Sequence, residues 1–151
     1  MEAGKYLAND YIRNFPSSKH ALIVLDVDHF KSVNDTFRHL VGNELLASLA
    51  KYLLVHSAND GIVIRMGGDK FVIFIKETDK TQIQHRCEEL LNCLDEITLD
   101  HQDVPFSLSL GVYLFDHDTL FDDAFEFADE ALYQSKNNGR HRFTIHYQVE
   151  E

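Results

Sequence analysis

Apolar positions change their spacing several times along the chain, and each change marks an element. Ala21-Leu-Ile-Val-Leu25 is a continuous apolar run closed by Asp26, which predicts a short strand buried on both faces. Leu45, Leu46, Leu49 and Leu53 then recur at helical spacing and predict an amphipathic helix over about Asn43 to Val55. Ile62 to Met66 and Phe71 to Ile75 are β-rich runs around Gly67-Gly68, whose tolerance of positive φ predicts a tight hairpin. Ile83, Cys87, Leu90, Leu91 and Leu94 mark the next helix. Phe106, Leu108, Leu110, Val112 and Leu114 alternate with Ser, Gly and Tyr, the period-two pattern of a half-buried strand. Ala124, Phe127, Ala128, Ala131 and Leu132 give the buried face of a last helix, with Thr119 to cap its start and Gly139 to end it. Arg142 to His146 read as a final strand, and residues 1–19 as a leading helix and linker.

The resulting order, β-α-β-β-α-β-α-β, predicts an α+β fold. Its first six elements match a ferredoxin-like, palm-type βαββαβ core, with helices on one side of a mainly antiparallel sheet. A further helix and strand follow at the C-terminus. That architecture hosts many unrelated activities, so function has to be read from the site.

Bulk properties narrow the field. A chain of 151 residues with 44% hydrophobic composition suits one domain over 1–151. No apolar stretch reaches the roughly 20 residues of a membrane helix, and Met1 to Lys5 lack a secretory layout. A soluble, cytoplasmic protein with no membrane segment is the expectation. The net charge of −11 argues against nucleic-acid polymers, whose phosphates attract basic faces. A single nucleotide stays open, provided a metal and a few local cations screen its phosphates. Cys87 and Cys93, six apart, fall on different faces of the predicted helix and suggest no disulfide or metal pair. The nine histidines show no His-x-x-x-His spacing, so surface or core roles are expected for them.

Two features carry chemistry. Asp26-Val27-Asp28 puts carboxylates at the end of an apolar strand, where a charge is costly unless it meets water, a partner or a metal. Taken alone, this is a pair of loop carboxylates. Arg65-Met-Gly-Gly-Asp69-Lys70-Phe71, taken alone, is a hairpin turn. If the hairpin lies beside the first strand, Asp26 and Asp69 point into one place. With a backbone carbonyl they make a hard-oxygen site suited to Mg²⁺ carrying phosphates.

Three separated segments, in order, resemble the GGDEF family. They are Leu25-Asp-Val-Asp-His29-Phe30-Lys31-Ser-Val-Asn34-Asp-Thr-Phe37-Arg-His39-Leu-Val-Gly42-Asn43, the turn Arg65–Phe71, and Ala128-Asp-Glu-Ala-Leu-Tyr-Gln-Ser-Lys136-Asn-Asn-Gly-Arg140. The resemblance covers about residues 20 to 146. It implies a diguanylate cyclase-like domain of cyclic di-GMP signalling, which condenses two GTP molecules across a homodimer. It further implies Mg²⁺, with Mn²⁺ as an alternative, held by Asp26, Asp69 and the carbonyl of Val27. The backbone of His29, Phe30 and Lys31 would cradle the terminal phosphates, Lys136 and Arg140 would add cationic contacts, and Asn34 and Asn43 would read the guanine edge. Without the resemblance, Lys136 and Arg140 would simply complement a helix C-terminus, Asn34 would be a turn residue and Asn43 a helix cap.

Departures from the family pattern set the functional expectation. Lys70 stands where the signature has the glutamate that supports metal binding and activates the 3′-hydroxyl. An ammonium repels Mg²⁺, and as a base it would have to titrate roughly three pH units below its ordinary range. An ion pair to Asp69 or to phosphate is expected of it instead. Asn43 replaces an aspartate that accepts two guanine hydrogens, which relaxes base specificity. Arg38 replaces a glycine beside His39, and Ala58-Asn-Asp-Gly61 replaces the product-inhibition motif. The family's opening segment is absent, which predicts excision from a longer protein with a sensory or dimerising region upstream. The expectation is a GTP- and magnesium-binding regulatory module impaired as a cyclase. A weak cyclase and an interaction domain with a remnant site are the rivals.

Overall fold

A computed structural model describes residues 2–15, 17–93, 106–116 and 119–148. The elements run α1 (Glu2–Asn14), β1 (His20–Val27), α2 (Phe30–Phe37), α3 (His39–His56), β2 (Gly61–Gly67), β3 (Lys70–Ile75), α4 (Lys80–Leu91), β4 (Leu108–Phe115), α5 (Phe121–Asn137) and β5 (Phe143–Tyr147). One five-stranded sheet has the order β2-β3-β1-β4-β5. Its pairings are antiparallel except β4 with β5, which is parallel. The expected α+β fold is therefore present.

Alternation divides the strands between two cores. Ala21, Ile23, Leu25 and Val27 of β1 face α3 and α4 together with Phe71, Ile73, Leu108 and Leu110. Leu22 and Val24 face the other way, with Val72, Phe74 and Tyr113, against Ala8 and Ile12 of α1 and Ala124, Ala128 and Leu132 of α5. The helices of the βαββαβ core thus share one face, as expected, and α1 and α5 cover the second. With both faces covered, β1 and β4 are buried at every position.

Several local expectations are corrected. β4 is fully buried rather than half-buried, because the backbone of α5 rests on Gly111 and Ser109 is buried against Asp28. α3 starts at His39, so Asn43 lies in its second turn and caps nothing; its N-cap is Arg38. α5 takes Leu120 as N-cap with no side-chain bond of its own, and Asn9 Oδ1 of α1 instead accepts the Phe121 N–H at 2.8 Å. Thr119 does not cap it. Phe127, expected in the core, is 44% exposed and stacks on Tyr113 with ring centroids 4.7 Å apart. Cys87 and Cys93 are both buried in one core, since α4 ends at Leu91 before the second thiol. Leu94 lies outside the described residues, and α2 is an element that apolar spacing did not reveal.

The exit from α5 was legible. Asn138 is the C-cap and Gly139 takes φ 119°. Gly139 N–H donates to Lys136 C=O at 3.4 Å and Arg140 N–H to Ser135 C=O at 3.0 Å. This is the paired-bond helix stop that favours glycine, which lacks the Cβ that makes positive φ costly.

Candidate functional site

The site forms where the ends of β1, the β2–β3 hairpin and α5 meet. Asp26 pairs in register with Lys70 of β3 and with Ser109 of β4, on the sheet face that α5 covers. The hairpin supplies Asp69. Gly67 and Gly68 hold φ 97° and 57°, a register shift falls between Arg65 and Gly67, and the Arg65 guanidinium donates to Gly68 C=O at 3.1 Å. The turn is docked on β1 by the Val27 N–H, which donates to Asp69 C=O at 3.4 Å. The two carboxylates that the sequence placed together are therefore neighbours.

Their electrostatics are those of a crowded acidic pair. The Asp26 side chain is buried and ion-paired to Lys136 Nζ through Oδ2. Its other oxygen, Oδ1, is buried and accepts no hydrogen bond among the described residues. Beside it, the Asp69 carboxyl is pushed up to about 6, first by burial and then by hydrogen bonding and repulsion from Asp26. Lys136 opposes that rise. Two ionised carboxylates have only acceptors to offer each other, so a proton or a cation has to stand between them. An orphaned buried carboxylate oxygen beside a second carboxyl fits a hard divalent cation such as Mg²⁺. Among the described residues no cluster of three or more His, Cys, Asp or Glu side chains is placed to hold a metal, so this pair would depend on backbone or nucleotide oxygens for further ligands.

Lys70 does not pair with Asp69. Its ammonium reaches Asp129 Oδ1 of α5 at 3.3 Å, with about a third of the lysine side chain exposed. The register puts Lys70 on the α5 face, seven helix positions from the Lys136 contact, so α5 is tied to the sheet by two ion pairs of opposite sense. Partial exposure keeps the Lys70 pair weak, within about 1 kcal/mol.

The other expected site residues lie on α2, α3 and the exit of α5. His29 is exposed and caps α2 in the left-handed region, at φ 55°, while its C=O accepts the Val33 N–H at 3.2 Å. Phe30 is half-buried and Lys31 exposed. Asn34 keeps its Oδ1 buried and without a hydrogen-bond partner among the described residues. A Cβ added at Gly42 would come within 1.8 Å of that oxygen, so a glycine inside α3 makes room for the carboxamide. Asn43 is exposed on the next turn of α3. Arg140 is half-buried just past α5, with φ 64°. The sequence reading missed Asp129, and it noted Asp28 beside Asp26 without its role; the partners of both lie across the fold and leave no local signal.

Comparison with known proteins bears on this arrangement. The family model described as "Diguanylate cyclase, GGDEF domain" matches residues 5–142. Diguanylate cyclase DosC of Shigella sonnei is 35% identical over 130 residues, covering 83% of this chain and 28% of that protein. Diguanylate cyclase A of Treponema denticola is 32% identical over 129 residues, covering 83% of this chain and 34% of its own length. This chain therefore spans about a third or less of either relative. Among solved structures, the active GGEEF domain of a diguanylate cyclase from Vibrio cholerae superposes with a TM-score of 0.79 at 29% identity, covering 96% of this chain and 91% of that one. The GGDEF domain of DgcB from Caulobacter crescentus, in complex with c-di-GMP, has the same fold, with a TM-score of 0.87 at 24% identity over 95% and 88% of the two chains. A family match running from α1 through α5 makes this chain a member of the GGDEF domain family of diguanylate cyclases.

Proposed function

We propose that this GGDEF domain binds GTP with Mg²⁺ and serves as a regulatory module, with cyclase chemistry impaired at Lys70. The observation that carries this reading is the contrast within one site. The acidic pair and the Lys136 contact are in place, whereas the position next to Asp69 holds an ammonium ion-paired to Asp129.

On this reading Asp26, Asp69 and the Val27 carbonyl hold the metal. The backbone of His29, Phe30 and Lys31 receives the terminal phosphates, and Lys136 and Arg140 neutralise them. Asn34 and Asn43 face the base. When bound, Mg²⁺ supplies charge neutralisation and polarises the phosphate. Lys136, ion-paired to Asp26, would turn to phosphate when a nucleotide binds. Lys70 cannot take a proton from a 3′-hydroxyl while it is an ammonium. A second copy of the domain and a fused upstream sensory or dimerising region are the partners this function requires. The site for it would be the cytoplasm.

The test is turnover. Purified, magnesium-loaded protein is expected to bind GTP yet to form no cyclic di-GMP above background by chromatography. Lys70→Glu should raise product by roughly 100-fold or more, the scale of a restored general base. Wild-type turnover matching that variant would sink the impaired-cyclase reading.

A further inference from the structure

Asp28 closes the Asp26-Val27-Asp28 motif but takes no part in the acidic pair. Its side chain is buried, at 5% exposure, and its needs are met elsewhere. Oδ2 accepts Ser107 Oγ–H at 2.6 Å and the His141 N–H at 3.1 Å, and Oδ1 accepts Ser109 Oγ–H at 2.6 Å. The Asp28 N–H donates to Ser107 C=O at 2.9 Å. A buried carboxylate is tolerated only with such a set of donors.

What this carboxylate holds is unusual backbone. Past α5, Gly139, Arg140 and His141 take φ of 119°, 64° and 49° in succession. Left-handed geometry is costly for residues with a Cβ, and it persists only where surrounding contacts fix it. Arg140 is fixed by its bond to Ser135 C=O. The His141 N–H is shared between Asp28 Oδ2 and Ser109 Oγ, the latter at 3.2 Å. Ser109 is also the β4 register partner of Asp26. The strained exit of α5 is therefore clamped to the end of β1, the strand that carries Asp26, and to its neighbour β4.

We propose that Asp28 is a positioning residue, which locks the Arg140–His141 backbone so that Arg140 is preset toward the phosphates of a nucleotide at Asp26. The inference rests on the Mg·GTP reading given above. It separates a local staple from a merely structural core residue, because Asp28 should act on ligand binding only through Arg140.

A double-mutant cycle measures this. Mg·GTP affinity is determined by calorimetry for the wild type, Asp28→Ala, Arg140→Ala and the double variant. Each single change is expected to weaken binding about tenfold, and the double variant no further than either, as for residues acting as one unit. Losses that multiply to about a hundredfold, or an Asp28→Ala affinity equal to wild type, overturn the positioning role. Should Asp28→Ala fail to fold, Asp28→Asn keeps the volume and one acceptor for the His141 N–H. It is expected to weaken binding about threefold in the wild-type background and not at all beside Arg140→Ala; an equal loss in both backgrounds overturns the proposal. A wild type that binds no Mg·GTP overturns the parent reading and the inference with it. Binding with multiplying losses removes the inference alone.

Discussion

Gly111→Ala is the most decisive packing test of how α5 is seated. Gly111 lies in the middle of β4, and a Cβ there would meet Leu132 N at 2.1 Å, Ala128 O at 2.2 Å and Leu132 Cα at 2.6 Å. These are helix backbone atoms, which cannot rotate aside as a flexible side chain would. Ordinary contact begins at 3.4 Å, so α5 would have to retreat by 3.4 − 2.1, or about 1.3 Å. A gap of that size forfeits a quarter to a half or more of the dispersion contact along the seam lined by Ala124, Ala128 and Leu132. Overpacking costs typically 1–3 kcal/mol, and immovable neighbours put this case at about 3 kcal/mol. For a domain of this size that corresponds to a fall in Tm of roughly 6–12 °C. Urea unfolding followed by far-UV circular dichroism is the assay, and the midpoint should drop with the m-value unchanged. Lys136 and Asp129 ride on the same helix, so Mg·GTP affinity should fall as well. A loss below about 1 kcal/mol would refute the direct seating of α5 on β4.

Two further outcomes follow from single residues. Gly42→Ala sets two effects against each other: alanine gains about 1 kcal/mol of helix propensity, but its methyl group cannot coexist with Asn34 Oδ1 at 1.8 Å. Tm should change by only a few degrees while Mg·GTP affinity drops about tenfold; unchanged affinity would remove Asn34 from base recognition. His20 is fully buried among Tyr11, Phe74 and Phe115, accepts the Glu77 N–H at 3.1 Å through Nδ1, and titrates below its ordinary 6.5, chiefly through burial, with the Phe15 carbonyl and Glu77 opposing. The unfolded chain then binds the proton more readily, so this contribution to stability is full above pH 6.5 and is lost as pH falls below it. Urea midpoints that stay flat from pH 7 to 5 in the wild type, relative to a His20→Gln variant, would contradict that assignment.

How far the sequence could be read depended on whether the deciding contacts were local. β1 was legible because Leu22 to Leu25 are apolar without interruption, and the hairpin because Gly67 and Gly68 take the positive φ that the turn needs. Asp26 and Asp69 could be brought together from the strand-and-hairpin pattern alone. By contrast, α2 is only eight residues long, buries Val33 alone and starts on His29 without a side-chain cap, so no periodic signal announced it. β4 was misread as half-buried because Ser109 and Gly111 look like solvent positions. Ser109 is buried by its bond to Asp28, and Gly111 by the backbone of α5. Phe127 sat on the helical face that should be buried, yet it lies toward the β5 edge of the sheet, stacked on Tyr113. The partner of Lys70 was missed for the same reason as the role of Asp28: Asp129 is 59 positions away, and His141 is 113 positions from Asp28.

The central claim is that this domain takes a nucleotide through the acidic pair, and calorimetric titration of GTP with Mg²⁺, with ATP as control, tests it most directly. Saturable binding of GTP that disappears when Mg²⁺ is chelated is the predicted result. No heat of binding at millimolar GTP with magnesium present would contradict the claim and leave the domain as an interaction module with an inherited site.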